Sequence, residues 1–176
     1  MIFAIDPGNE ESAYVLLDEN LKPISKGKVS NQELLDIINK LFYMNTVDGK
    51  LQSSIEHVAI EMVASYGMAV GKTVFETCVW IGRFYQAIYE QGNIKPIFIY
   101  RKDEKMCLCG TMKAKDTNIV QALVDRFAPN TSNKGKGTKK EQGFFYGFKK
   151  DIWQAFSVGI TYHDLYIDKD TLRLHL

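Results

Sequence analysis

A chain of 176 residues, 45% of them apolar, is long enough to bury roughly 70% of its unfolded surface and too apolar for a disordered segment. The net charge is only +1, yet residues 101–150 hold twelve Lys or Arg against five Asp or Glu, while the remainder holds ten against sixteen. Three cysteines, no apolar run of bilayer length and no basic, cleavable leader predict a reduced, cytoplasmic chain of one domain that neither spans a membrane nor builds a disulfide frame.

Short apolar runs predict strands over 2–6 and 12–17, joined by a turn at Pro7-Gly8-Asn9. A third strand follows over 21–29, after a turn at Asp18-Glu19-Asn20. Helical spacing begins at Asn31 and runs to Phe42, with Ser30 as N-cap and Glu33 three residues on. Polar residues 46–54 read as a loop, and 58–61 as a buried strand. A long helix is expected over 73–90, closed by Gly92; its stripe of Val74, Cys78, Ile81, Phe84, Tyr85 and Ile88 fits either sheet packing or a subunit face. A fifth strand spans 94–100 and a helix 117–127, stopped before Pro129. Residues 130–148 form a Gly- and Lys-rich basic loop with four aromatics at its end, and 151–162 is the last helix. The tail from 165 carries no clear pattern. Strands first, then helix and strand in alternation, predict an α/β domain with a mixed five-stranded sheet and helices on both faces.

Three acids stand out. Asp6 ends the apolar run 2–5, Glu61 ends Val58-Ala59-Ile60, and Asp151 opens the amphipathic run to Thr161. Carboxylates at strand ends and a helix start can converge although far apart in sequence. Converging anions repel unless a cation joins them, so the cluster predicts a hard divalent ion with oxygen ligands. Such sites commonly act on phosphate esters. The basic third of the chain is a footprint for a phosphate backbone, or else a solvated loop.

Four motifs in order, Ala4-Ile5-Asp6-Pro7-Gly8, Ala59-Ile60-Glu61-Met62-Val63, Gly82-Arg83, and Asp151 leading into Ala155–Thr161, resemble those of RuvC-type Holliday-junction resolvases. The likeness extends from residue 2 to about residue 163 and is strongest to the bacteriophage branch of that family, that of lactic-acid-bacterial phages. It implies an RNase H-like fold, a homodimer in the host-cell cytoplasm, and Mg²⁺- or Mn²⁺-dependent cutting of four-way DNA junctions in recombination and repair. One or two ions per subunit are implied, with 5′-phosphate and 3′-hydroxyl ends and no nucleotide cofactor. Asp6, Glu61 and Asp151 match the family's first three acidic ligands. Gln154 stands where cellular members carry a fourth acid; its amide can still coordinate through oxygen or hold a water, but it brings no charge.

Lys115 resembles the family's assisting lysine at the site, and Lys105 a second one or a plain backbone clamp. Tyr66, in the loop after Glu61, resembles positionally an aromatic that stacks at the junction centre; core packing is the other reading. Lys134, Lys136, Lys139 and Lys140 are expected to contact DNA phosphates, together with Lys72, Arg101, Lys102, Lys105 and Lys113. Phe144, Phe145, Tyr146 and Phe148 either anchor that clamp or close the core beneath the last helix. Cys107-Leu108-Cys109 has no matching pair for zinc. Rival functions are another RNase H-fold nuclease acting on hybrid or nicked duplex, and a non-catalytic branched-DNA binder, which the neutral Gln154 suggests.

Overall fold

The computed structural model describes residues 1–43, 46–47, 50–51, 55–65, 67 and 69–168. Strands β1 (Ile2–Asp6), β2 (Glu11–Leu17) and β3 (Pro23–Ser30) form an antiparallel meander. Helix α1 (Asn31–Tyr43) follows, then two short paired strands, β4 (Thr46–Val47) and β5 (Lys50–Leu51), where a plain loop was expected. β6 (His57–Met62) joins β1 in parallel, helix α2 (Lys72–Gly92) crosses over, and β7 (Ile97–Tyr100) extends the sheet in parallel again. The resulting order is β3-β2-β1-β6-β7. β7 starts later than the apolar pattern suggests because Pro96, lacking an N–H, cannot donate to a ladder.

Three helices follow the sheet: α3 (Arg101–Cys109), α4 (Asp116–Phe127) and α5 (Lys150–Tyr162), the last running into a π-helical turn, His163–Ile167. Periodicity did not predict α3, since Arg101-Lys102-Asp103-Glu104-Lys105 reads as a solvated charge run. Its entry is capped locally, the Tyr100 N–H donating to Asp103 Oδ2 at 3.1 Å.

The sheet's alternation assigns its two faces. Ile2, Ala4, Val15 and Leu17 pack with Ala59, Ile99 and the apolar side of α5, while Phe3, Ile5, Leu16 and Ile60 pack with α1 and α2. Ile81, Phe84 and Ile88 of the α2 stripe are buried in this second layer, so that stripe belongs to sheet packing.

The aromatic cluster of the basic loop closes the core. Phe145 and Phe148 are buried, and Phe145 lies between Trp153 at 4.4 Å and Phe156 at 5.6 Å, centroid to centroid. Each such ring contributes about 1.5–3 kcal/mol by leaving water, which outweighs any role as a surface anchor. The lysine-bearing half of the segment stays outside. α5 meets the sheet at Gly159, where an added Cβ would stand 3.0 Å from Leu17 Cδ1 and 3.2 Å from Ala4 Cβ. Below it, the bidentate pair of Arg126 with the buried Asp164, at 2.5 and 2.9 Å, ties α4 to the turn after α5.

Candidate metal centre and nucleic-acid interface

Parity and register place the first two acids. Asp6 continues the face of Ile2 and Ala4, and Glu61 continues the face of Ala59. The parallel register pairs Ile5 with Ile60, so the next residues bring the two carboxyls together on the face covered by α5. They lie in hydrogen-bond contact with each other. A tight turn follows Asp6: a Cβ at Gly8 would fall 2.3 Å from the Glu11 carbonyl oxygen, so only glycine fits. That turn is pinned by Ser12 Oγ, which accepts from the Gly8 N–H at 3.1 Å, and by Asn31 Nδ2, which donates to the Gly8 carbonyl at 2.9 Å.

Asp151, in the first turn of α5, shares with Asp6 a cleft of about 440 Å³ that Gly8, Glu11 and Lys28 also line. Its Oδ2 is held by Lys28 Nζ at 2.9 Å, and the same ammonium reaches Glu11 at 3.0 Å. Gln154, one turn on, hydrogen-bonds with Asp116. Two further groups that sequence reasoning missed complete the centre. Glu104, fully buried in α3, lies within hydrogen-bonding reach of Glu61; its Oε2 accepts from Arg101 Nη1 at 2.8 Å and from Ser157 Oγ. Asp116 accepts from the other arm of Arg101. Glu104 stands four residues beyond the end of β7, inside α3, whereas Asp6 and Glu61 are part of their strand ends.

These acids share an electrostatic load. Burial, then the neighbouring Glu61, raises Asp6 well above the usual carboxylate range; burial also raises Glu61, against the opposing pull of Asp6's hydrogen bond and of Arg101. Burial and Glu61 together push Glu104 up to about 8. Arg101's hydrogen bond holds Asp116 below the ordinary value. A carboxyl raised in the fold contributes stability below its unfolded pKa and loses it as pH climbs through the folded one. Ion-free protein should therefore unfold at lower temperature at pH 9 than at pH 6, each such group adding at most about 1.4 kcal/mol per pH unit. Thermal unfolding in chelator across that range reads it; a flat or rising midpoint contradicts the strained-acid picture.

The donor set fits a hard divalent ion. All the candidate ligands are carboxylate oxygens, two of them in mutual contact, and Glu104 Oε1 is buried without a hydrogen-bond donor. As they stand, the carboxyls form a row and not a ring: among the described residues no three Asp, Glu, His or Cys side chains are already grouped to hold an ion. Asp151 is the member that must turn. Its pair with Lys28 is more than a third exposed on both sides, a setting where ion pairs contribute about 0–1 kcal/mol, so release costs little.

A second cleft, of about 480 Å³, flanks the start of α5 on its other side, lined by Lys134, Lys136, Lys149 and Lys150 with Asp116 and Gln154. Lys139 and Lys140 are exposed in the turn beyond it, which the Gly137–Gln142 bridge closes. Lys115 is exposed at the N-cap of α4, beside Asp116; Lys113 is also exposed, and Lys105 is half-buried. Lys102 lies over the Tyr100 ring at 5.7 Å, and Lys72 pairs with Glu76 at 3.4 Å. Arg101 is engaged with Glu104 and Asp116 and is mostly buried. Tyr66 lies outside the described residues. Cys107 and Cys109 are free and half-buried, the former's thiol raised by burial to about 12, which makes it inert.

Acids gathered at the ends of β1 and β6 beneath a C-terminal helix, on a β3-β2-β1-β6-β7 sheet, define an RNase H-like α/β fold of the RuvC type. No protein-family model matches the chain, and no curated protein matches it by sequence. Solved structures do. Thermus thermophilus RuvC superposes with a TM-score of 0.64 at 16% identity, covering 97% of this chain and 96% of that one. T. thermophilus RuvC in complex with Holliday junction substrate gives 0.63 at 13% identity over 97% and 96%. Fowlpox virus resolvase in complex with substrate Holliday junction DNA gives 0.50 at 14% identity, over 92% and 97%.

Proposed function

We propose that this chain is a structure-selective endodeoxyribonuclease that resolves four-way DNA junctions by Mg²⁺- or Mn²⁺-dependent phosphodiester hydrolysis. The observation that carries it is the meeting of Asp6 and Glu61, with Asp151 in the adjoining cleft, in a fold shared with proteins solved on Holliday junctions. When bound by these three carboxylates, one or two divalent ions supply an activated water and neutralise charge at phosphorus. Lys28 holds Asp151 until it is needed. Arg101 holds Glu104 and Asp116 in place, and the lysine-lined cleft seats the DNA backbone beside the acids. Lys115, projecting next to Asp116, is placed to reach a phosphate at that border.

Cutting assays in Mg²⁺ on a four-way junction, an RNA–DNA hybrid and a nicked duplex of equal length test the reading. Preference for the junction, lost in Asp6→Asn, supports it; preference for the hybrid or nick transfers the chain to another RNase H-fold activity. One observation favours a non-catalytic junction binder, the engagement of Asp151 by Lys28. Tight junction binding without scission in either metal would establish that alternative.

A homodimer is part of the proposal. Phe75 and Val79, one turn apart on α2, are 60% and 62% exposed and lie off the buried stripe. They offer the apolar surface that a second copy would cover. Phe75→Glu with Val79→Lys should convert a sedimenting dimer to monomer at micromolar concentration; a wild type that sediments as monomer removes the dimer.

A further inference from the structure

Of the two acids at the centre that the sequence motifs do not supply, Glu104 is the fully buried one. Glu104 comes from α3, and none of the motifs that marked Asp6, Glu61 and Asp151 includes it. Its carboxyl is fully buried, and its two oxygens are used unequally. Oε2 is saturated by Arg101 and Ser157, while Oε1 has no donor although the carboxyl adjoins that of Glu61. A buried oxygen left without a donor is costly unless something else meets it. Meanwhile Gln154, at the position where an acid was expected, is occupied with Asp116.

We propose that Glu104 is a fourth metal-ligating carboxylate, offering Oε1 to an ion shared with Glu61, and so supplies from α3 the negative ligand that Gln154 does not supply from α5. Arg101 and Ser157 are its positioning residues. They grip Oε2 from one side, so an ion can meet Oε1 with both of those bonds kept. Arg101 also serves as the counter-charge when no ion is present, bridging Glu104 to Asp116. This inference rests on the metal-dependent reading above and names a ligand of that same site.

Mn²⁺ binding to the full chain, followed by calorimetry and by the electron paramagnetic resonance of free Mn²⁺, tests it without reference to cutting. Glu104→Gln keeps the shape and can still accept from Ser157 and Arg101. It should weaken Mn²⁺ binding at least about tenfold, or remove one ion from the stoichiometry, and shrink the rise in unfolding temperature that Mn²⁺ gives. Gln154→Ala should leave all three unchanged. Were Glu104 only a structural partner of Arg101, Glu104→Gln would shift the ion-free unfolding temperature and leave the Mn²⁺-induced increment intact; that result overturns the assignment while the nuclease reading stands. A wild type that takes up no Mn²⁺ overturns both. If Glu104→Gln does not fold, Glu104→Asp, which retracts the charge by one methylene, takes its place with the same expectations.

Discussion

Glu61→Gln should reduce junction cutting by roughly 10³-fold or more, because the loss falls on charge stabilisation at the transition state. Binding should scarcely change, with junction affinity within about threefold of wild type, since phosphate contacts and not the acids position the DNA. The fold should not suffer either. Glu61 sits between the carboxyls of Asp6 and Glu104, and a neutral amide there relieves repulsion while its oxygen can still accept from Asp6. Gel-shift titration, single-turnover cutting in Mg²⁺ and thermal unfolding in chelator separate the three effects. Equal losses of affinity and of cutting would mean that Glu61 organises the DNA surface and not the chemistry.

The second large effect belongs to the lysine cleft. Replacing Lys134, Lys136, Lys149 and Lys150 together by Ala should lower the slope of log affinity against log salt by roughly 3–4, at about 0.9 per duplex phosphate contact. Affinity should fall by roughly 10²–10³-fold near 0.15 M salt and converge on wild type near 1 M. Replacing Lys139 and Lys140 instead should change the slope less, because they stand in the turn outside the cleft. Salt titrations of junction binding for both variants decide it. An unchanged slope in the fourfold variant would take the cleft out of the DNA path.

Much of the architecture was legible because β1 is a continuous apolar run and both faces of the sheet are covered. The Asp6 and Glu61 positions were legible for the same reason: a carboxylate ending an apolar strand is conspicuous. Glu104 was not. It lies among Arg101, Lys102, Asp103 and Lys105, where charge usually means solvent, and its burial depends on α3 packing beneath α5 through Ser157. The loop aromatics were ambiguous in sequence because lysines and phenylalanines alternate within a few positions. Only the packing of Phe145 on Trp153 assigns the rings to the core and leaves the ammonium groups outside. The hydrogen bond between Gln154 and Asp116 was not legible, because a neighbour so remote in sequence leaves no trace in local spacing.

Gly159 lies eight positions beyond Asp151 on the same rod, seated against Ala4 and Leu17 of the strands that lead to and from Asp6. The separation between the two walls of the Asp6–Asp151 cleft is thus gauged by a missing methyl group. An added Cβ requires Leu17, Ala4 or the rod itself to give by a few tenths of an ångström. The spacing of the acids across the cleft is thereby delegated to a position two turns away that carries no side chain.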